Sequence, residues 1–186
     1  MKTTKKLTAS AVMIALAAVL SLVSKMIPAP WLQGGSVTLA SMVPIISAGI
    51  LFGTKWGLCA SFCYALIQMM FGFYPPPTQT AIYFILVVLL DYIFAFGVLG
   101  LSGMFYSAFG KKYFAIPLSA FIVTVLRYIC HILSGILIWG VYAGEGQSVF
   151  MYSLVYNGTY MVPEIIISTI VTAMVFKSKI MKKISD

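Results

Sequence analysis

The sequence has 186 residues, of which 61% are hydrophobic and 9% are charged, and its formal net charge is +8. Soluble domains carry roughly 25% charged residues, so this composition, with a mean hydropathy of +1.03, excludes an ordinary soluble protein and indicates a membrane protein. The basic residues lie at the ends of apolar segments instead of forming a stripe, which argues against a nucleic-acid-binding protein.

Six apolar segments follow one another along the chain. A bilayer core is crossed by about 20 apolar residues, so a chain of this length allows at most about six crossings. The pattern predicts membrane helices over 7–27, 37–53, 56–73, 79–105, 114–140 and 151–176. No evident cleavage site follows residues 7–27, which we therefore interpret as a membrane helix and not as a signal peptide. The sequence predicts an all-α integral membrane protein with one membrane-embedded domain over 1–186.

The lysine residues predict the topology. With six helices, one side of the membrane receives ten lysines and the other side receives Lys25. Cytoplasmic loops are enriched in Lys and Arg, so we expect a multi-pass membrane protein with both termini in the cytoplasm. The ten expected cytoplasmic lysines are Lys2, Lys5, Lys6, Lys55, Lys111, Lys112, Lys177, Lys179, Lys182 and Lys183.

Two of the four acidic residues, Asp91 and Glu164, fall at membrane depth. An ionisable group there is costly and marks a functional site by default. Asp91 has a structural explanation, in which it pairs with Arg127 or His131 and ties two helices together. The functional explanation is that the carboxylate lies partly unpaired in a low-dielectric cavity and pairs with a cationic ligand. For Glu164, a ligand contact and a structural pair with Arg127 both stay open.

The fifth predicted helix carries one wall of a candidate pocket. Its polar, small and aromatic residues recur every four positions and so share one helical face: Arg127, His131, Gly135 and Trp139. The glycine leaves room for a flat ring between the two aromatic side chains.

The sixth predicted helix begins with three tyrosines and an amide side chain. Asn157 offers donors and an acceptor to a heteroaromatic ring. Aromatic faces attract quaternary nitrogen by about 0.5–2 kcal/mol per contact. Carboxylate, aromatic walls and amide together predict a binding site for a flat organic cation.

Signatures of other chemistry are missing. The sequence around Lys111 lacks the earlier glycine and the following Ser or Thr of a nucleotide-binding loop, a single His excludes HExxH, and there is no GxSxG elbow. The cysteines Cys59, Cys63 and Cys130 form no CxxC pair, and we interpret them as packing residues. We expect no enzyme, no metal and no cofactor.

In order and spacing, segments along nearly the whole chain resemble the ThiT-type, thiamine-specific S components of bacterial energy-coupling factor (ECF) transporters. These segments are Gln33-Gly34-Gly35-Ser36, Leu90-Asp91-Tyr92, Arg127-Tyr128, His131-Ile132-Leu133-Ser134-Gly135, Trp139-Gly140, Tyr142-Ala143, Tyr152-Ser153-Leu154 and Tyr156-Asn157-Gly158-Thr159-Tyr160-Met161-Val162-Pro163.

The resemblance implies roles for matching residues. Asp91 corresponds to the acidic residue that faces the charged part of the ligand, and Tyr92 follows it. His131 and Trp139 correspond to ring-stacking residues, with Gly135 between them. The resemblance further implies polar ligand contacts at Tyr152 and Asn157, a ligand contact near Gln68, and a lid residue at Trp31.

The resemblance also implies partners: a transmembrane coupling subunit and two ATPase subunits. In this family, helix 1 meets the coupling subunit through small residues spaced by four, a spacing shared by Ala11 and Ala15. The implied mechanism is capture of thiamine from outside, closure of the first loop and reorientation of the whole subunit.

Three alternatives stay open. An S component for a thiamine precursor or another pyrimidine is one, although a neutral pyrimidine gains little from a buried carboxylate. A membrane enzyme could use Asp91, His131 and Glu164 as acid and base, but no nucleophile or metal constellation accompanies them. An ion-coupled carrier working alone would carry a proton on Asp91. The sequence leaves open whether phosphorylated thiamine is accepted.

Overall fold

The computed structural model describes residues 3–26 and 35–178, and the regular structure of these residues is helical throughout. The helices are α1 (Thr3–Lys25), α2 (Val43–Phe52), α3 (Thr54–Phe71), α4 (Ala81–Ala108), α5 (Ala115–Leu137) and α6 (Val149–Lys177). A short 3₁₀ turn, Trp139–Tyr142, follows α5. The predicted all-α class is confirmed for the described residues.

Four helices, α1, α4, α5 and α6, are long and apolar enough to cross a membrane. The ten residues of α2 extend only about 15 Å, half of a bilayer core. The predicted helix over 37–53 was therefore too long. Proline fits the first turn of a helix but disrupts its interior, and Pro44 lies in the first turn of α2. The count of six crossings stays a prediction.

The short helix α2 lies at the centre of the bundle. Nine of its ten residues are buried, and it contacts each of the other five helices. Ile45, Ile46 and Ile50 belong to the main apolar core, together with Tyr64 of α3 and Leu99 of α4. The longer helices thus pack around α2, which is almost entirely buried.

Glycines bring α2, α3 and α4 into direct backbone contact. A Cβ placed on Gly100 would lie 2.5 Å from the carbonyl carbon of Gly57, and one placed on Gly103 would lie 2.2 Å from the carbonyl oxygen of Gly49. The Ser102 hydroxyl donates to the Ile46 carbonyl oxygen at 2.8 Å, which adds a hydrogen bond between α4 and α2. Small residues permit this close approach between membrane helices.

The outer surface of the bundle is apolar, as lipid requires. Cys59 and Cys63 lie exposed on this surface, whereas Cys130 is partly buried, and all three thiols are free. The interpretation as packing residues was wrong for Cys59 and Cys63. In a membrane protein the surface is as apolar as the interior, so an apolar sequence context does not mark burial.

We expect Gly100→Ala to destabilise the protein by about 1–3 kcal/mol, because overpacking a close contact forces the backbones apart. The measurement is the thermal unfolding midpoint in detergent. Gly97→Ala is the matched control on the same helix, since a Cβ there would meet nothing within 4 Å. Equal midpoints for the two variants would contradict this account of the packing.

Candidate ligand-binding site

A cavity of about 620 Å³ lies at one end of the bundle. Its walls come from the ends of α1, α3 and α5, from the middle of α4 (residues 87–96), from the beginning of α6, and from the segment that precedes α2. Pockets of about 300–1,000 Å³ typically hold small organic ligands. Eight of the predicted site residues line it: Gln68, Asp91, Tyr92, His131, Gly135, Trp139, Tyr152 and Asn157. Glu164 lies behind the wall, and Trp31 lies outside the described residues.

Asp91 lies within a π-helical segment of α4, Val88–Phe94. The wider turn changes which residues share a face, and both Asp91 and Phe96, five positions later, line the cavity. The Asp91 carboxylate accepts hydrogen bonds from Ser134 Oγ at 2.7 Å and Trp139 Nε1 at 3.2 Å. Its Oδ1 lies 3.2 Å from His131 Nδ1. The Asp91 side chain keeps 16% of its surface accessible, so the carboxylate is held by neutral donors and still faces the cavity.

Trp139 does not continue the face of α5 as predicted, because the helix ends at Leu137 and Trp139 begins the 3₁₀ turn. The chain turns where Gly140 packs against α6, since a Cβ on Gly140 would lie 2.6 Å from a methyl group of Val149. Trp139 nonetheless lines the cavity, with its ring centroid 5.5 Å from that of Tyr74.

Arg127 and His131 lie one turn apart on α5, and both line the cavity. Arg127 Nε donates to His131 Nε2 at 3.3 Å. The guanidinium carbon lies 4.0 Å from the ring centroid of Phe96, a cation–π contact. Among the described residues, His131 and Asp91 are the one acid–base pair within 4.0 Å. The structure thus supports the predicted contact of Asp91 with His131 and shows no ion pair of Arg127 with Asp91 or Glu164 in the described chain.

Asn157 joins α5 to α6. Its Nδ2 donates to the His131 carbonyl oxygen at 3.2 Å and the Ser153 carbonyl oxygen at 2.8 Å, and its Oδ1 accepts from the Tyr160 hydroxyl. A ligand that contacts this amide would exchange one of these partners. The Tyr152 hydroxyl oxygen is buried and has no protein partner in the described chain.

Gly135 lines the cavity and also packs closely against α6. A Cβ at this position would lie 2.0 Å from Ser153 Oγ and 3.1 Å from Asn157 Nδ2. The glycine therefore permits the close approach of α5 and α6 that holds Asn157 in place.

Residues 7–184 match the family model described as Thiamine transporter protein. The chain belongs to this thiamine transporter family. The Thiamine transporter ThiT of Bacillus subtilis (strain 168) is 38% identical over 178 residues, which cover 89% of this chain and 87% of that protein. The Thiamine transporter ThiT of Lacticaseibacillus paracasei is 33% identical over 79 residues, 38% of this chain and 39% of that protein.

A solved structure of ThiT from Listeria monocytogenes has the same fold, with a TM-score of 0.73 and 23% sequence identity over 97% of this chain and 96% of that one. The family predicted from the sequence is confirmed. As a member of the thiamine transporter family with four apolar helices of spanning length, the chain is a multi-pass protein of the cell membrane.

In this thiamine transporter family member, Glu164 anchors the segment that precedes α2. The Glu164 side chain is 2% exposed, and its Oε1 accepts a hydrogen bond from the Thr38 backbone N–H. The next residue, Leu39, donates its N–H to Ser24 Oγ of α1 at 2.8 Å. Both bonds fix a wall of the cavity, so the structure gives Glu164 a structural partner, and that partner is Thr38.

Gln68 and Tyr92 connect the cavity wall to α1 and to the end of α3. The Tyr92 hydroxyl donates to the Gly72 carbonyl oxygen at 3.0 Å and accepts from the Tyr74 N–H at 3.1 Å. Gln68 Oε1 accepts from Ser21 Oγ at 3.2 Å.

The site also contains residues that the sequence did not single out: Thr38, Phe96 and Ser134. Ser134 could have been found, since it lies three residues after His131 and so on a neighbouring part of the same helical surface. Phe96 carries no such signal, because its position depends on the π-helical turn. Thr38 lies 126 residues from Glu164, and no local pattern predicts that contact.

We expect Glu164→Ala to raise amide hydrogen exchange in residues 35–42 by about tenfold or more. The Thr38 N–H loses its side-chain acceptor. A buried donor left without a partner costs about 1–3 kcal/mol, where 1.4 kcal/mol corresponds to about tenfold. Exchange is followed by mass spectrometry in detergent. Glu164→Gln is the control, because it retains a carbonyl oxygen for Thr38 and should keep the protection. Unchanged exchange in the Ala variant would rule out the anchor.

Proposed function

We propose that the chain is the substrate-binding subunit of an ECF-type thiamine uptake transporter, which binds thiamine from outside and releases it inward when an ATPase-driven coupling module acts on it. Family membership supports a transport role, since the relatives are named thiamine transporters.

The observation that carries the proposal is a carboxylate that faces the cavity at membrane depth. The Asp91 side chain lines the cavity and keeps 16% of its surface accessible. The two basic side chains that line the cavity, Arg127 and Lys25, form no ion pair with Asp91 in the described part of the chain. In a low-dielectric site such a carboxylate favours a cationic ligand.

Thiamine combines a cationic thiazolium ring with a neutral aminopyrimidine ring. Trp139 and His131 meet the carboxylate through ring nitrogens at the edges of their rings. The faces of aromatic rings attract a cationic ring, so both residues suit the thiazolium. The amide of Asn157 and the hydroxyl of Tyr152 lie at the α6 side of the cavity and suit the polar edge of the pyrimidine. We assign Asp91, Tyr92, His131, Gly135, Trp139, Tyr152 and Asn157 to the thiamine site, with Gln68 at its edge.

The distribution of described lysines supports uptake from outside. Helices α1, α3 and α5 end at the cavity, so their N-terminal ends mark the opposite end of the bundle. Lys25 is the one described lysine at the cavity end. By the positive-inside rule the cavity then opens to the outside. The opposite end holds Lys5, Lys6, Lys55, Lys111, Lys112 and Lys177.

Asp91→Asn should weaken thiamine binding about tenfold to a hundredfold, since hydrogen-bonded charges contribute about 1.5–3 kcal/mol. Binding is measured by titrating the purified protein with thiamine and following tryptophan fluorescence. The Trp139 indole N–H donates to the Asp91 carboxylate, so a ligand at Asp91 should change the fluorescence of Trp139. Glu145→Gln, which removes an exposed carboxylate in the loop before α6, is the control and should bind like the unmodified protein.

An uncharged pyrimidine precursor of thiamine is titrated alongside. The proposal expects it to bind more weakly than thiamine and to be insensitive to Asp91→Asn. A clear response to the precursor with no response to thiamine would favour the alternative substrate, while the fold would stand.

Substitutions on α1 test the coupling partner. Ala11 and Ala15 are exposed on the outer surface of α1, where small side chains allow a second helix to approach closely. Ala11→Leu with Ala15→Leu should abolish co-purification with a coupling subunit and leave thiamine binding intact. Ala81→Leu enlarges an exposed alanine on α4 and should keep the complex. If the α1 variant still co-purifies with the coupling subunit, Ala11 and Ala15 do not form the contact with it.

A further inference from the structure

Three polar groups form a continuous chain in the cavity wall: Arg127, His131 and Asp91. Arg127 Nε lies 3.3 Å from His131 Nε2, and His131 Nδ1 lies 3.2 Å from Asp91 Oδ1. The imidazole therefore lies between a permanent cation and a carboxylate.

The two neighbours define the protonation of the imidazole. A guanidinium has five donors and no acceptor, so the nitrogen that faces it, Nε2, must offer a lone pair. A carboxylate accepts hydrogen bonds, so the nitrogen that faces it, Nδ1, must carry the proton. Both contacts require the same neutral tautomer, with hydrogen on Nδ1.

The neutral form has a consequence for the ligand. A doubly protonated His131 would form an internal ion pair with Asp91 and cancel the charge that a cationic ligand needs. The Arg127 guanidinium opposes that second proton, both by occupying Nε2 and by charge repulsion.

Arg127 is itself held in place from two sides. Its guanidinium carbon lies 4.0 Å from the Phe96 ring centroid, and the buried Glu164 carboxylate attracts it electrostatically. Its hydrogen bond to His131 thus starts from a fixed position.

In the part of the chain that the structure describes, further titratable groups face His131 or Arg127. Tyr160 of α6 meets the His131 ring edge-on at a centroid distance of 5.9 Å. Tyr64 of α3 and Cys130 of α5 face Arg127, and all three are neutral at physiological pH. Among these neighbours, the charged groups that decide the state of His131 are Asp91 on α4 and Arg127 on α5, with Glu164 acting through Arg127.

We infer that Arg127 is a positioning residue that holds His131 in its neutral, Nδ1-protonated form and so leaves the Asp91 carboxylate its full charge for a cationic ligand. The role of the ligand rests on the proposed function, whereas the tautomer does not.

The chain has one histidine, so protein labelled with ¹⁵N-histidine contains one imidazole, and its NMR signals need no assignment. In detergent without thiamine, we expect a protonated Nδ1 and an unprotonated Nε2, unchanged from pH 8 to pH 6. A protonated Nε2 in the unmodified protein would overturn the inference without any variant.

Arg127→Met removes both the donor and the charge while keeping an unbranched side chain. We expect His131 in this variant to take a second proton as the pH falls from 8 to 6. The Asp91 carboxylate then favours the imidazolium, and no guanidinium occupies Nε2 or repels the added charge. Arg127→Lys retains the positive charge and should keep the imidazole singly protonated. The positioning role would be contradicted if His131 in the Arg127→Met variant has the same protonation as in the unmodified protein at both pH values.

Thiamine binding by the same variants tests the consequence. Between pH 8 and pH 6 the affinity of Arg127→Met should fall about tenfold more than that of the unmodified protein, with recovery at pH 8, which a merely misfolded site would not show. If the unmodified protein shows the expected tautomer and does not bind thiamine, the proposed function fails and the positioning role stands.

Discussion

A carboxylate at membrane depth must be surrounded by donors, and the arrangement around Asp91 follows from that requirement. Its donors come from α5 and from the turn after α5, while Asp91 itself lies on α4. These bonds place Trp139, which lies beyond the end of α5, against the cavity. They also fix the distance between α4 and α5, because Ser134 and His131 approach from one helical turn. The hydrogen bonds that satisfy the Asp91 carboxylate therefore also place the rings of His131 and Trp139 in the cavity wall.

The second carboxylate at this depth shows how environment separates two similar groups. Glu164 is 2% exposed and holds the Thr38 backbone, whereas the Asp91 side chain keeps 16% of its surface accessible. A buried carboxylate bonded to a backbone donor stabilises structure, and a cavity-facing one is free to select a ligand. Glu164 also attracts Arg127, so the structural carboxylate supports the cation that donates to His131.

Much of this arrangement was predictable, and what was missed has physical reasons. The length of the apolar segments predicts the helices and places Asp91 at membrane depth. Helical periodicity predicts that Arg127 and His131 share a face. Both are local properties of the sequence. The π-helical turn in α4 has no comparable sequence signal, so the place of Phe96 was missed. The turn at Trp139 depends on Gly140 packing against α6, and the Thr38 contact joins residues far apart in sequence. Such features depend on tertiary contacts that a local pattern does not contain.

The two ends of the bundle differ in packing. In α3, Gly57 follows soon after the start at Thr54, and in α4, Gly100 and Gly103 precede the end at Ala108, so the glycine contacts lie at the end opposite the cavity. There the backbones touch and leave no room for ligand, whereas at the other end tyrosine, tryptophan and histidine side chains line the cavity. A close-packed base resists deformation, so changes on ligand binding concentrate at the cavity end.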